Sequence, residues 1–194
     1  ICSEIRQLID KVVKKNLTEG ILFSGGLDTS VIAFTASKYS KLEAFTVAFE
    51  NSPALDLEYS KLMANRLKMN HTIHFFGEKE MHSGIQAVIK ILKVFDPMDI
   101  RNSVAAYVGL KAAKENGIKG MMTGDGLDEL LGGYSWLFKF NEKELKEYLS
   151  NMWQVMQFTS IPMAESLGLV AKTPFLDPEF KSFAYGVDTK LMIR

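Results

Sequence analysis

Ile21-Leu22-Phe23, followed by Ser24-Gly25-Gly26-Leu27-Asp28-Thr29-Ser30 and then Val31-Ile32-Ala33-Phe34, decides how this 194-residue chain is read. An apolar triplet, a glycine pair and a helix-like apolar run give strand, tight turn and helix in succession. Paired glycines let the backbone turn sharply and approach a ligand, while the first amides of the following helix have no intrahelical partner. Such a turn is an anion cradle, because turn amides and the positive end of the helix favour a phosphate. Ser24, Thr29 and Ser30 add hydroxyl donors. Asp28 is the odd member, since its carboxylate would repel a phosphate unless a cation lies between them. Magnesium suits that position, being held by one or two carboxylates together with phosphate oxygens. The plain alternative is an ordinary strand-to-helix turn.

Outward from this loop the chain alternates strand and helix. Ile5, Leu8, Ile9, Val12 and Val13 form a helical stripe over the first sixteen residues. Beyond the loop, strands are expected at 44–49 and 71–76, with a helix from Leu55 to Met69 between them. A helix follows from Lys79 to Val94, then a break at Asp96-Pro97, a helix from Arg101 to Asn116 and a short buried strand from Gly120 to Thr123. The expected fold class is α/β, a doubly wound parallel sheet with helices on both faces and a helical C-terminal extension, forming one domain over 1–194. Ligands in such sheets bind at the carboxyl ends of the strands, where both the Ser24 loop and the Thr123 loop fall. His71 and His74 are three apart in a strand and so point to opposite faces, which favours structural roles over metal ligation.

Composition narrows the function classes. Lys and Arg number 23, as do Asp and Glu, so the net charge is zero and composition makes no case for nucleic acid or an anionic membrane. The single cysteine, Cys2, excludes an internal disulfide framework and fits a reducing compartment. No apolar run is long enough to span a bilayer and no signal segment opens the sequence, so a soluble cytoplasmic protein is expected. No stretch specifies an oligomeric state.

A second motif, Thr123-Gly124-Asp125-Gly126-Leu127-Asp128-Glu129-Leu130-Leu131-Gly132-Gly133-Tyr134, is rich in acids and glycines. Asp125 and Asp128 supply oxygens for metal or proton work; Asp128 and Glu129 equally suit the first turn of a helix. The first loop lacks the lysine of a Walker A sequence, the next lysine being Lys38. It resembles instead the PP-loop of ATP pyrophosphatases, Ser-Gly-Gly-x-Asp-Ser/Thr-Ser, whose cradle holds pyrophosphate as a leaving group while the α-phosphate is attacked. Together the two motifs resemble the ATP-dependent domain of the asparagine synthetase family, with its Ser-Gly-Glu/Asp-Gly-x-Asp-Glu-x-x-x-Gly-Tyr signature, and with Asp96 to Arg101 and Thr173-Pro174-Phe175-Leu176-Asp177 as further similar segments.

The resemblance implies an adenine nucleotide alpha hydrolase-like fold using ATP and Mg2+. A small-molecule carboxylate, with aspartate the expected one, would be adenylated and passed to an amine with release of AMP and pyrophosphate. Leu22, Val47, Thr123 and Gly124 would line the adenosine; Ser24, Gly25, Gly26, Leu27, Asp28, Thr29 and Ser30 would hold pyrophosphate; Asp28 and Asp128 would hold the metal. Asp125 would assist attack by ammonia and Arg101 would face the acidic substrate. Lys172 takes the place of a family arginine, and Lys190, within Asp188 to Arg194, takes that of a lysine contacting the phosphates or the intermediate. Relatives read Glu-x-Arg-x before Pro-Phe-Leu-Asp, where this chain has Val170 and Lys172, and they carry an Asp and an Arg where Met156 to Pro162 offers neither. The sequence carries no glutaminase segment, so the amine implied is free ammonia, another amine, or ammonia from a separate glutaminase subunit. Two alternatives stand beside this reading: an ATP-binding module that has lost acceptor chemistry, and a PP-loop transfer-RNA thiolation enzyme, which a lone cysteine and zero net charge disfavour.

Overall fold

The computed structural model describes residues 1–51, 53 and 55–192. In chain order these form α1 (Cys2–Lys15), β1 (Gly20–Leu22), α2 (Leu27–Ala36), β2 (Glu43–Phe49), α3 (Leu55–Leu67), β3 (Asn70–Phe76), α4 (Glu78–Leu92), α5 (Pro97–Glu115), β4 (Gly120–Met122), α6 (Leu127–Leu131), α7 (Glu142–Val155), α8 (Ser160–Ser166), β5 (Val170–Lys172) and α9 (Pro178–Gly186). Short 3-10 turns occupy Ser135–Lys139, Pro174–Leu176 and Thr189–Leu191.

The strands pair in parallel in the order β3-β2-β1-β4-β5. From β1 the chain winds outward through β2 to β3, then crosses back to β4 on the other side of β1. The topology therefore reverses between β1 and β4, and a crevice opens at their carboxyl ends. Each parallel connection needs a helical crossover, which explains the strand and helix alternation in the sequence.

Both faces of the sheet are covered, so its central strands are apolar on both sides. Successive strand residues point to opposite faces. Ile21, Ala44 and Met122 accordingly join Val12, Ile32 and Phe180 in one core, while their neighbours Phe45 and Met121 join Val104, Val108 and Met163 in the other. A third, smaller cluster of Leu137, Leu145 and Leu149 packs beneath Tyr134, Phe140 and Tyr148. The stripe on α1 does what its spacing predicts, with Val12 and Val13 fully buried in the first core and Ile5, Leu8 and Ile9 packed against it.

One boundary departs from the sequence expectation. The helix expected from Arg101 begins at Pro97, and Asp96 is its N-cap, accepting from the Met98 amide at 2.8 Å and the Asp99 amide at 3.0 Å. Asp96-Pro97 is thus a start signal rather than a break, since proline at the first helical position has its φ preset and needs no amide hydrogen. A similar cap closes the far end of the chain. Asp177, 6% exposed, accepts from the Glu179 amide at the start of α9 and also binds Lys15 at 2.9 Å and Asn16 at 3.2 Å, tying α9 to the end of α1.

Candidate active site

The first loop leaves β1 with the Phe23 amide donating to the Phe45 carbonyl at 2.8 Å, which continues the sheet one residue further. Gly25 then turns at φ +77°, and a Cβ there would lie 2.3 Å from the Ser60 nitrogen and 2.6 Å from the Tyr59 carbonyl carbon. Backbone cannot yield, so only glycine fits between this loop and α3. Gly26 caps α2 without a side-chain bond, and the opening residues Leu27, Asp28 and Thr29 face the crevice. Ser24 Oγ accepts from the Gly26 amide at 3.2 Å and lies 3.1 Å from Thr29 Oγ1, so two hydroxyls converge beside the free helix amides. Ser30 is set back from the crevice, its Oγ donating to the Gly25 carbonyl at 3.1 Å. Ser30 and Gly25 shape the turn, while Ser24, Gly26, Leu27, Asp28 and Thr29 present themselves to a ligand.

The second loop leaves β4, the neighbour of β1, with the Thr123 amide donating to the Lys172 carbonyl at 3.0 Å. Gly124 brings it against the first loop, where a Cβ would sit 3.0 Å from Thr29 Cγ2 and 3.2 Å from Asp28 Cβ. Asp125 accepts from Thr123 Oγ1 at 2.8 Å and from Ser160 Oγ. Asp128 and Glu129 stand in the first turn of α6. Tyr134 donates its hydroxyl to Glu129 Oε1 at 2.5 Å, and Trp153 Nε1 donates to the Glu129 carbonyl at 3.0 Å, so the acidic turn is braced from two sides.

Between the loops lies a cleft of about 710 Å³, within the size range of sites for small molecules and cofactors. One wall is apolar, formed by Leu22, Phe45, Val47, Ala105 and Ala106. The floor carries Asp28, Asp125, Asp128 and Glu129, with no Lys, Arg or His among the described residues that line it. Burial, reinforced by the charges of Asp128 and Glu129, pushes the Asp28 carboxyl up to about 6. Burial and Glu129 likewise push Asp128 up. Asp125 is raised by burial and by Glu129, against the opposing pull of its bonds from Ser160 and Thr123. Carboxylates raised by burial and mutual repulsion are groups whose charged form a cation would stabilise. Among the described residues no three His, Cys, Asp or Glu side chains form a ready-made metal cage. Magnesium does not require one, because it commonly takes one or two carboxylates and completes its shell with phosphate oxygens and water. Asp28 and Asp128 fit that donor set.

The loops therefore bring together Leu22, Val47, Thr123, Gly124, Asp125 and Asp128 with the lining residues of the first loop. Besides Gly25 and Ser30, three residues expected at the site lie outside the cleft lining. Arg101 is exposed on α5, one turn before Ala105. Lys172 is exposed at the end of the edge strand β5. Lys190 is paired with Glu142 of α7 at 3.7 Å with its side chain 66% exposed; its neighbours Ile193 and Arg194 lie outside the described residues. The cleft also contains residues the sequence did not single out. Thr46 donates to the Phe23 carbonyl and lies 2.7 Å from His71 Nε2, so His71 backs the cleft wall, while His74 pairs with Glu80 at 2.9 Å. Ser160 belongs to no motif, and tertiary packing alone brings it to Asp125, its helix being tied to α5 through Ser103 and running on into β5 beside β4. Glu129 had a visible signal in Tyr134, five residues on in the same motif.

The Asparagine synthase family model matches residues 4–160. Glutamine-hydrolyzing asparagine synthetase 1 of Lotus japonicus is 32% identical over 204 residues, covering 95% of this chain and 34% of its own length. Glutamine-hydrolyzing asparagine synthetase B of Escherichia coli (strain K12) is 31% identical over 211 residues, covering 96% of this chain and 38% of its own. The chain thus spans little more than a third of the length of these relatives. In fold it resembles the U34-tRNA thiolase NcsA of Methanococcus maripaludis, with a TM-score of 0.53 at 13% identity over 94% of this chain and 61% of that one. With both glycine motifs inside the matched region, this chain belongs to the asparagine synthase family.

Proposed function

We propose that the chain is an ATP-dependent amide-forming synthetase domain that adenylates a small carboxylate, aspartate being the first candidate, and passes the acyl group to ammonia or another amine. The observation that carries this reading is the abutment of the two glycine loops across β1 and β4, which sets an anion cradle, an apolar wall and an acidic floor around one cleft. In this reading residues 1–194 act as one domain. Leu22 and Val47 hold the adenine, with Thr123 and Gly124 beside the ribose. Ser24, Thr29 and the amides opening α2 hold the β- and γ-phosphates, with Gly25 and Ser30 keeping the loop in shape. Asp28 and Asp128 hold Mg2+, which when bound neutralises charge on the pyrophosphate.

A substrate carboxylate oxygen attacks the α-phosphorus as the bond to the β-phosphate bridging oxygen breaks, and pyrophosphate leaves. The amine nitrogen then bonds to the acyl carbon, AMP departs with the C–O bond electrons, and Asp125 takes the proton the nitrogen sheds. Arg101, Lys172 and Lys190 are the candidates for charge on the acceptor side. Family membership supports ATP-dependent amidation in general. The amine is ammonia, free or delivered by a glutaminase, or another amine. Among the described residues no helix is long and apolar enough to cross a membrane.

A pyrophosphate-exchange screen across amino acids with Mg2+ and ATP tests this. Exchange that depends on both Mg2+ and one carboxylate substrate is expected, and Asp28→Ala should abolish it. No exchange with any amino acid would overturn the enzymatic reading. The outlying positions of Arg101, Lys172 and Lys190 favour one second reading, a nucleotide-binding module without acceptor chemistry. Calorimetric ATP binding without exchange would select it.

A further inference from the structure

Asp125 receives two hydroxyl hydrogen bonds, from Thr123 and Ser160, and both land on Oδ2. Among the described residues Oδ1 receives none. Two donors on one oxygen fix the rotation of the carboxylate about its last bond and commit the other oxygen to whatever enters the cleft. The second donor comes from far away in the chain. Ser160 is the first residue of α8 and is 4% exposed.

Side-chain bonds tie the start of α8 to its neighbours on two sides. Thr159, at the N-cap, makes no capping bond; its Oγ1 accepts instead from Ser103 Oγ of α5 at 2.9 Å, and Ser103 is 1% exposed. Pro162, the third residue of α8, has no amide hydrogen for a capping hydroxyl to satisfy, which leaves the Thr159 side chain to meet Ser103. The Ser103 bond pins the start of α8 to α5 and thereby sets where Ser160 points. Around Asp125 the other charged groups of the cleft are Asp28, Asp128 and Glu129, all acidic, so the hydroxyls of Thr123 and Ser160 supply the polarity that stabilises its charged form.

We propose that Ser160 is a positioning residue, whose hydroxyl with that of Thr123 locks Oδ2 of Asp125 and leaves Oδ1 as the atom that accepts the proton of the attacking amine. This rests on the amide-forming reading above.

The test compares Ser160→Ala and Ser160→Thr with the wild type in three measurements: pyrophosphate exchange, amide formation, and the 13Cγ resonance of Asp125. A hydrogen bond to a charged group is worth about 1.5–3 kcal/mol, so amide formation by Ser160→Ala should fall about ten-fold or more beyond any fall in exchange. The Asp125 13Cγ resonance should move, the acid limb of amide formation should shift to higher pH, and Ser160→Thr should restore all three. Equal losses in exchange and amide formation with an unmoved Asp125 resonance would overturn the proposal, as would a threonine variant no better than alanine. If the wild type shows no exchange at all, the amide-forming reading fails. The resonance then decides the positioning role alone: movement in Ser160→Ala with return in Ser160→Thr upholds it, and no movement overturns it.

Discussion

Asp28 sits in an electrostatic conflict, partly buried in a cleft whose other charges are also negative. Its carboxyl is raised to about 6 from 3.8, by burial first and by Asp128 and Glu129 next. The native state therefore binds this proton more tightly than the unfolded chain, so stability falls as pH climbs through the interval between those values, and the penalty is complete above it. Asp28→Asn removes the penalty. Relative to the wild type, the variant should gain about 1 kcal/mol at pH 7 over pH 4, a figure discounted from the full shift because the side chain is partly solvated. Urea unfolding of both proteins at the two pH values measures it, and a gain independent of pH would refute the electrostatic cause. This residue was legible in the sequence because a carboxylate in a phosphate loop is anomalous by itself. Ser160 was not, because its partner lies 35 residues away and no local pattern joins them.

At the scale of elements, the legible features were those written within a few residues: the apolar triplet of β1, the stripe on α1, the glycine turn before α2. Capping chemistry is written in Asp96-Pro97, where the same pair that interrupts the preceding helical pattern starts α5. A substitution there is informative. Asp96→Ala should lower stability by about 1 kcal/mol through the loss of two amide partners at the start of α5, and it should leave exchange with near-wild-type kinetics, since Asp96 is outside the cleft lining. Asp177 does more, because it caps α9 and also holds α1. Burial pushes its carboxyl up, but the bonds from Lys15, the Glu179 amide and Asn16 more than offset this and keep it below the usual value. A depressed carboxyl contributes stability that is full above its unfolded value and is lost as pH falls through its folded one. Asp177→Ala should therefore destabilise by about 1–2 kcal/mol near neutrality, with the difference from wild type vanishing at strongly acid pH. Thermal unfolding across a pH series checks it. The Thr173 to Asp177 segment thus includes a brace between the two ends of the chain, and family likeness alone did not separate that role from a catalytic one.

For the molecule as a whole, charge balance and charge placement tell different stories. Equal counts of 23 acidic and 23 basic residues make the chain neutral, yet the described residues lining the cleft contribute four carboxylates and no base. Overall neutrality could not reveal this, because the sheet topology selects which acids meet: Asp28 follows β1, while Asp125, Asp128 and Glu129 follow β4 beside it. A polyphosphate entering alone would meet repulsion that the helix amides and hydroxyls of α2 only partly offset. On the proposed reading Mg2+ would reverse the balance, because Asp28 and Asp128 would hold it in their charged forms and it would offset the charge of the phosphates. Binding to the native state alone stabilises it in proportion to the logarithm of ligand over dissociation constant, by about 2.7 kcal/mol at a hundred-fold excess. Mg2+ with ATP should accordingly raise the melting temperature, whereas ATP with a chelator should not. If Asp28 holds the metal, a proton would compete with it there, where burial and the neighbouring acids push the carboxyl up to about 6, so affinity for Mg2+ and ATP should hold between pH 7 and 8 and weaken progressively below about pH 6. Calorimetric titration across that range reads it, and Asp28→Asn should bind weakly at every pH with a flattened dependence. Tight metal-free ATP binding, or an affinity that is flat from pH 5 to 8 in the wild type, would show that the acidic floor is not where the metal and phosphates meet.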